Sequence, residues 1–470
     1  MKKIIFCALS AVLLFGATSC EKGFFNVDDS TIDPNLVAEE VVLGNPSRAQ
    51  IIQLAKGLES AMRNGHNDFI ASSAAVGREV ISSRSTDNRY YTELLGTDVA
   101  NFAGANDPAG IFNAYYAAFS ATRRRAELLA RTANNATTIS AGEKKAVEGF
   151  ARTIQAYVTL NLLNMQGKNG IRETFSDLNA PGDLLKPGKF GTYTSGLTVV
   201  RKYADDGFAA LNAATSFPFV LGAGWKAGLA EMDFTTVENF KKFNRAVTAR
   251  IALYQADWAS LPAILSASFM DLNGSLSMGP KFVWSTAAND FTNTLFVTPN
   301  NNGSPYVVFN EVIAAVEAGD TRFTGTNAKA QARTTARQSG AFTSTHEVRM
   351  FSNNTTPSPI IKNEELILIY AEAQAELNMP ALAKTALDKI RTTYSLPAYT
   401  GALTKEALID EVLRQRRFSL FFEGHRWFDM RRRGRLAQLT PQGTIGNQTF
   451  VVFEAMARPD AEVQWDRQNP

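Results

Sequence analysis

The segment from Arg414 to Arg435 contains eight arginines and five aromatic residues within 22 positions. Guanidinium groups lie readily over aromatic rings and form paired hydrogen bonds with carboxylates. Such a segment can hold a fold together, or it can bind an anionic partner. The bulky rings and the two carboxylates between them favour burial, and therefore the first role. The residues to which we assign that structural role are Glu423, Arg426, Trp427 and Asp429, and we expect Arg426 and Asp429 to form a buried charge pair.

Catalytic and metal-binding patterns are not recognisable in the sequence. The histidines, His66, His346 and His425, are far apart and lack the spacing of metal ligands. The stretch 182–189 resembles a phosphate-binding loop but is one residue too long, and 222–228 misses the spacing of a dinucleotide-binding loop. We therefore expect no catalytic residue, no metal and no cofactor. A pair of carboxylates of the glycosidase type is the alternative, because carboxylates are plentiful in the chain.

Two loop-rich regions, 66–91 and 284–306, combine aromatic rings with amide and charged groups. Flat rings cover apolar C–H surfaces of a sugar or peptide, and polar groups beside them fix hydroxyls or carbonyls. We expect both regions to lie on loops and to converge into one cleft, with Trp225 as a further candidate. For each residue, packing within its loop is the alternative. The candidate ligand-binding residues are His66, Asn67, Asp68, Arg84, Asn88, Arg89, Tyr90, Trp284, Asn301 and Tyr306.

Residues 1–19 have the pattern of a secretory signal peptide, with two lysines before an apolar run that is too short to span a bilayer. Small residues follow, and then Cys20, as in the lipobox of bacterial lipoproteins, whose cysteine is acylated. Because Cys7 leaves with the signal, Cys20 is the mature chain's one cysteine, and acylation removes an exposed thiol. Residues 20–46 would form a lipidated tether. The alternative is a cleaved signal that leaves Cys20 as a free thiol.

The composition is that of an ordinary globular protein, with 45% hydrophobic and 20% charged residues. The formal net charge is +3, and loss of the two signal-peptide lysines leaves 46 basic and 45 acidic residues. A nearly neutral chain has no overall field that attracts nucleic acid or an anionic membrane. We expect no nucleic-acid partner, and membrane association through the N-terminal lipid.

Apolar residues recur at helical spacing along much of the chain. The clearest helix pair runs from Glu364 to Leu396, with Pro380 well placed to open its second helix. Its length of about 34 residues is that of a tetratricopeptide repeat, and stacked pairs form a superhelix. Further pairs combine 111–132 with 143–166 and 197–214 with 237–259. We predict a single mostly α-helical domain over 47–470, with large irregular loop insertions and few short strands.

The loop insertions are predicted at 66–108, 167–195 and 260–362, where helical periodicity is lost. Loops of this size inside a compact domain are usually functional. The better strand candidates are Phe282–Trp284, Tyr306–Phe309 and Thr449–Phe453.

The motif F-F-E-G-H-R-W-F-D-M-R-R-R-G-R at 421–435 resembles the hallmark of the SusD/RagB family of outer-membrane nutrient-uptake lipoproteins. Leu366–Asn378 and Ala386–Arg391 are similar to the helices that precede it in that family, and the lipobox-like N-terminus agrees. The sequence departs from the family at Gln415 and Ser419, where glutamate is common. Weaker similarity covers 77–95, 112–129 and 148–163.

The resemblance implies a helical fold of tetratricopeptide-like pairs and a cell-surface outer-membrane lipoprotein that is not an enzyme. It also implies capture of oligosaccharides or peptides, and a SusC-like TonB-dependent β-barrel transporter as partner. The alternatives are a helical-repeat scaffold that binds only proteins, and a lipid-anchored hydrolase. The sequence does not name the ligand.

Overall fold

The computed structural model describes residues 44–84, 87, 89–96, 110, 113–174, 188–445 and 448–468. The predicted signal peptide, Cys20, nearly all of the predicted tether and the candidate Asn88 lie outside the described residues. Within the described ranges, no helix is long and apolar enough to cross a membrane.

Helices dominate the architecture, and several begin with side-chain caps. Ser47 and Ser140 each cap a helix reciprocally with the residue three positions later. The helices are α1 (Arg48–Ala61), α2 (His66–Val76), α3 (Arg89–Leu95), α4 (Asn113–Asn135), α5 (Ala141–Gln166), α6 (Tyr193–Asn212), α7 (Val237–Gln255), α8 (Leu261–Ser266), α9 (Asn310–Ala314), α10 (Asn363–Glu376), α11 (Pro380–Thr393), α12 (Lys405–Ser419), α13 (Arg426–Arg432) and α14 (Asp460–Gln468).

The helices pack in the pairs that the sequence predicts. Helix α4 packs on α5, α6 on α7, and α10 on α11. Helix α5 also packs on α6, and almost every residue from Ala146 to its end is buried. The prediction of a mostly α-helical fold with few short strands is confirmed.

The strands form one larger sheet and two small ones. The larger sheet is antiparallel in the order β1-β3-β5-β4, and it sets Ser82 opposite Tyr306. Strands β2 and β6 pair, as do β7 and β8. The strands are β1 (Val80–Ser82), β2 (Lys281–Phe282), β3 (Tyr306–Val308), β4 (Ala330–Ser339), β5 (Phe342–Val348), β6 (Ser358–Pro359), β7 (Gly443–Ile445) and β8 (Gln448–Phe450).

Two of the predicted loop regions contain regular structure. The stretch 260–362 includes the hairpin of β4 and β5, and 66–108 includes α2, β1 and α3. The assignment of His66, Asn67 and Asp68 to a loop is therefore wrong, and so is that of Arg89 and Tyr90, which begin α3. Helix α2 begins after Gly65, whose φ of 73° is left-handed, and a Cβ there would lie 2.9 Å from the Cβ of Ala118. Because α2 is buried on nearly all sides, it lacks an amphipathic pattern.

The arginine-rich segment is folded into the core by ion pairs and ring packing. Trp427 is fully buried and donates from Nε1 to the carbonyl of Phe453 at 2.7 Å. Asp429 accepts from Arg416 Nε at 2.7 Å and from Arg432 Nη2 at 2.8 Å. Burial alone would raise the pKa of Asp429, but these two guanidiniums hold it well below its usual range.

Glu423 pairs with Lys362 at 2.6 Å. Arg426, in contrast, is not paired with the carboxylate that we expected. Among the described residues, Arg426 has no carboxylate within 4.0 Å, because the oxygens of Asp429 are taken by Arg416 and Arg432. The expected pairing of Arg426 with Asp429 is therefore wrong. Its side chain is half-buried and lines a groove described below.

Candidate ligand-binding site

The first turn of α2 brings the two predicted ligand-binding regions together. The ring centroid of His66 lies 4.6 Å from that of Phe282 and 6.5 Å from that of Trp284. The side-chain amide of Asn67 donates to Thr294 Oγ1 at 3.0 Å. Residues 66–91 and 284–306 therefore adjoin on one part of the molecule.

Three of the candidate residues, His66, Trp284 and Tyr306, have buried rings. They are 5%, 3% and 8% exposed, and Trp284 donates from Nε1 to Ser358 Oγ at 3.1 Å. Burial lowers the pKa of His66 to about 3, so its imidazole is neutral at pH 7. Asn67 is buried as well. These residues support the surface from within, and Trp284→Ala would disturb packing before it removed a ligand contact.

Asp68, Arg84 and Tyr90 form a cluster that reaches the surface. The guanidinium carbon of Arg84 lies 3.9 Å from the ring centroid of Tyr90. Arg84 Nε also donates to Ser82 Oγ at 3.3 Å, next to the point where β1 meets β3. Burial raises the pKa of Tyr306 to about 12. The nearby charge of Arg84 lowers this pKa, and that of Asp68 raises it. The cluster thus presents an arginine–tyrosine pair beside a carboxylate.

Arg89 and Asn301 have local partners. The exposed Arg89 pairs with Asp87 at 2.8 Å. Asn301 Oδ1 accepts from the backbone N–H groups of Gly303 at 2.8 Å and Ser304 at 3.0 Å, which fixes a turn. For both residues, contact with a ligand stays a prediction.

A groove of about 310 Å³ has Phe282, the ring that packs against His66, in its lining. Arg63 pairs with Asp290 at 2.8 Å, and its guanidinium carbon lies 5.4 Å from the ring centroid of Phe291. Phe291, next in sequence to the lining residue Asp290, is 38% exposed, and Val220, in the lining, is 66% exposed. Sequence reasoning missed this groove because its residues come from three distant segments.

Trp225 belongs to the floor of the same groove. It is 2% exposed, and its ring packs edge-on against Phe243 with centroids 5.1 Å apart. The backbone N–H of Gly222 donates to Glu59 Oε1 at 2.9 Å beside it. Burial raises the pKa of Glu59. Trp225 therefore shapes the groove and presents no free ring face.

Two guanidinium–aromatic pairs, each with a carboxylate nearby, thus stand around the start of α2. Exposed ring faces suit the apolar faces of a sugar, and charged groups beside them suit its hydroxyls. This arrangement fits reversible capture of a polar ligand from water. We name it the α2 surface, and its members are Arg63, Asp68, Arg84, Tyr90, Asp290 and Phe291.

Comparison with known families identifies the fold. Residues 237–469, which include the arginine-rich segment, match the model of the SusD family. The chain belongs to the SusD family. No curated protein matches the chain.

Solved structures of SusD-like proteins share the fold across most of the chain. A SusD superfamily protein from Bacteroides vulgatus is 13% identical, with a TM-score of 0.63 over 89% of this chain and 97% of that one. A laminarin-binding SusD-like protein is 16% identical, with a TM-score of 0.61 over 90% and 98%. Surface glycan-binding protein A from Bacteroides thetaiotaomicron, in complex with laminarihexaose, is 13% identical, with a TM-score of 0.66 over 90% and 98%. At such low identity these likenesses establish the fold and not the ligand.

Proposed function

We propose that this SusD-family protein is a non-catalytic, lipid-anchored binding protein on the outer surface of the outer membrane. It captures oligosaccharides at the α2 surface and delivers them to a SusC-like TonB-dependent β-barrel transporter. The observation that carries this proposal is the pairing of Arg63 with Phe291 and of Arg84 with Tyr90 at the start of α2. Glycan binding by two proteins of the same fold supports the choice of ligand class.

The electrostatics of the α2 surface suit a neutral polyhydroxylated ligand. Arg63 is already paired with Asp290 at 2.8 Å, and Arg84 has Asp68 near it. Because each guanidinium has a carboxylate nearby, the surface offers donors and acceptors with little net charge. Such groups hydrogen-bond hydroxyls without requiring a charged ligand.

The double variant Arg84→Ala/Tyr90→Ala should bind laminarihexaose or another preferred oligosaccharide about tenfold more weakly, since aromatic contacts contribute about 0.5–1.5 kcal/mol each. Phe291→Ala should weaken binding by a smaller factor through the neighbouring groove. Isothermal titration calorimetry against a panel of glucan oligosaccharides measures both effects.

Arg48→Ala is the control for these variants, because Arg48 is exposed and pairs with Glu143 on a different helix. It should bind as wild type does. Unchanged affinity in both Arg84→Ala/Tyr90→Ala and Phe291→Ala, with binding retained by wild type, would reject the α2 surface as the glycan site.

The proposed anchor is tested by Cys20→Ala, which removes the acyl acceptor. Protein carrying this change should leave the membrane fraction or keep an uncleaved signal, since more than one acyl chain is needed for stable anchoring. Membrane fractionation measures release of the protein from the membrane, and labelling with palmitate measures its acylation. Cys7→Ala is the matched control and should be processed normally. Wild-type processing and localisation of Cys20→Ala would show that the protein is held by something other than a lipid.

A further inference from the structure

A second groove lies between α9, α12 and α13, and its residues are distant in sequence from those of the α2 surface. Its volume is about 620 Å³. We name it the arginine groove. The residues that characterise its lining are Ala314, Ala315, Val316, Arg417, Phe418 and Arg426.

The arginines at the rim of the groove are neutralised. Arg435 pairs with Asp410, and Arg414 lies 3.5 Å from Glu317. The buried arginines of the same segment, Arg416 and Arg432, are paired as well. Five of the eight arginines of the segment thus pair with a carboxylate, whereas Arg431 donates to the backbone carbonyls of Glu454 and Asn164.

Arg417 and Arg426, which line the groove, also lack an ion pair. Across the part of the chain that the structure describes, neither has a carboxylate within 4.0 Å; Arg417 Nη2 donates to the carbonyl of Glu311 at 3.2 Å. Both side chains are half-buried. Partly desolvated guanidiniums without a counter-charge are costly unless a ligand supplies one.

Glu79 acts on both arginines, Glu311 also acts on Arg417 and Asp429 on Arg426, but none of these acids is within 4.0 Å. Glu79 is 1% exposed, and its burial raises its pKa to about 8, so the carboxyl group is mostly protonated at pH 7. Burial is the larger cause, and the nearby charge of Arg417 the smaller one, of a pKa of Arg426 lowered to about 10. At pH 7 both arginines are still cationic, and among the described residues the groove holds two positive charges without an ion-pair partner.

We propose that the arginine groove docks a segment of a partner protein in which carboxylate side chains stand next to small apolar ones. Guanidinium groups bind carboxylates through two parallel hydrogen bonds. The wall formed by Ala314, Ala315 and Val316 is aliphatic and partly exposed, and it suits the apolar neighbours of such a carboxylate. Phe418, the aromatic residue in the lining, is 2% exposed and offers a sugar no ring face. The groove therefore fits a peptide better than an acidic glycan.

The test uses a labelled synthetic peptide that alternates glutamate with leucine and alanine, and a counterpart with glutamine in place of glutamate. Fluorescence anisotropy should show the glutamate peptide binding to the full-length protein, more weakly at higher salt. Arg417→Gln/Arg426→Gln should weaken binding at least tenfold. Arg48→Gln/Arg467→Gln removes the same charge at exposed sites and should leave binding unchanged.

Three results would overturn the proposal: no binding of the glutamate peptide to wild type, equal binding of the glutamine peptide, or equal binding to Arg417→Gln/Arg426→Gln. Binding of oligogalacturonate in place of the peptide, lost in the same variant, would assign the groove to an acidic glycan instead.

A stability measurement separates docking from a structural role. Because neither charge is in an ion pair, the urea midpoint of Arg417→Gln/Arg426→Gln should equal or exceed that of wild type. A lower midpoint would mean that the arginines hold the fold together, and the docking role would fall. Glycan binding at the α2 surface should be unaffected in either case.

Discussion

At the scale of single residues, the two departures from the family motif have a direct physical explanation. Gln415 Oε1 and Ser419 Oγ each accept a hydrogen bond of 2.8 Å from the buried Arg322. Arg322 already pairs with Asp320 at 2.6 Å, and both side chains are fully buried. A glutamate at either position would add a second buried negative charge to a pair that is already neutral. Neutral acceptors satisfy the remaining N–H donors without that cost.

Glu79 provides a pH-dependent test at the same scale. Burial raises its pKa to about 8, although Arg426, Arg417 and Lys329 act in the opposite direction. The folded state therefore keeps a proton that the unfolded state has lost, and this group lowers stability progressively as pH rises from about 4.5 to about 8. The slope approaches about 1.4 kcal/mol per pH unit.

Glu79→Gln should remove this penalty, so its stability relative to wild type should increase with pH across that window. Urea denaturation at several pH values between pH 5 and pH 8 measures the difference. The exposed Glu406→Gln is the control and should show no trend. A difference between Glu79→Gln and wild type that stays constant with pH would mean that Glu79 is ionised in the folded protein.

At the scale of elements, sequence periodicity predicts the long helices and misses elements without a pattern. Helices α4 and α5 are found because each keeps an apolar stripe toward its neighbours. The hairpin of β4 and β5 is missed because most of its residues are polar and many are exposed, so no alternation of buried and exposed side chains marks it. Helix α2 is missed for the opposite reason, since its residues are small and buried on almost every side.

Helix α13 depends on Trp427, which is fully buried and packs against Phe428 with ring centroids 5.1 Å apart. Trp427→Ala should reduce the free energy of unfolding by about 3–5 kcal/mol, as for other buried aromatic residues. Trp427→Phe should cost less, since it loses the Nε1–H donor to Phe453 but keeps a ring. Glycan affinity measured on the folded fraction should be unchanged.

Trp258→Ala is the comparison for this prediction, because Trp258 is only partly buried beside Arg433. It should destabilise less than Trp427→Ala. If Trp427→Ala were as stable as wild type and had lost only ligand binding, the arginine-rich segment would be a binding site and not a structural element.

At the scale of the whole molecule, a core of paired helices carries two surfaces that sequence order does not reveal. The α2 surface joins side chains from three stretches around 63–68, 84–90 and 290–291, and the arginine groove joins α9 to α12 and α13. The convergence of 66–91 with 284–306 could be predicted because both combine rings with polar groups. The burial of individual rings could not be predicted. For His66, Trp284 and Tyr306, burial depends on tertiary packing.

The central claim, glycan capture at the α2 surface, is tested most directly by a crystal structure of the protein with its best-binding oligosaccharide. The account predicts sugar rings within about 4 Å of Tyr90 and Phe291, with hydroxyls hydrogen-bonded to Arg84 or Asp68. Sugar bound in the arginine groove, or anywhere else away from the start of α2, would contradict it.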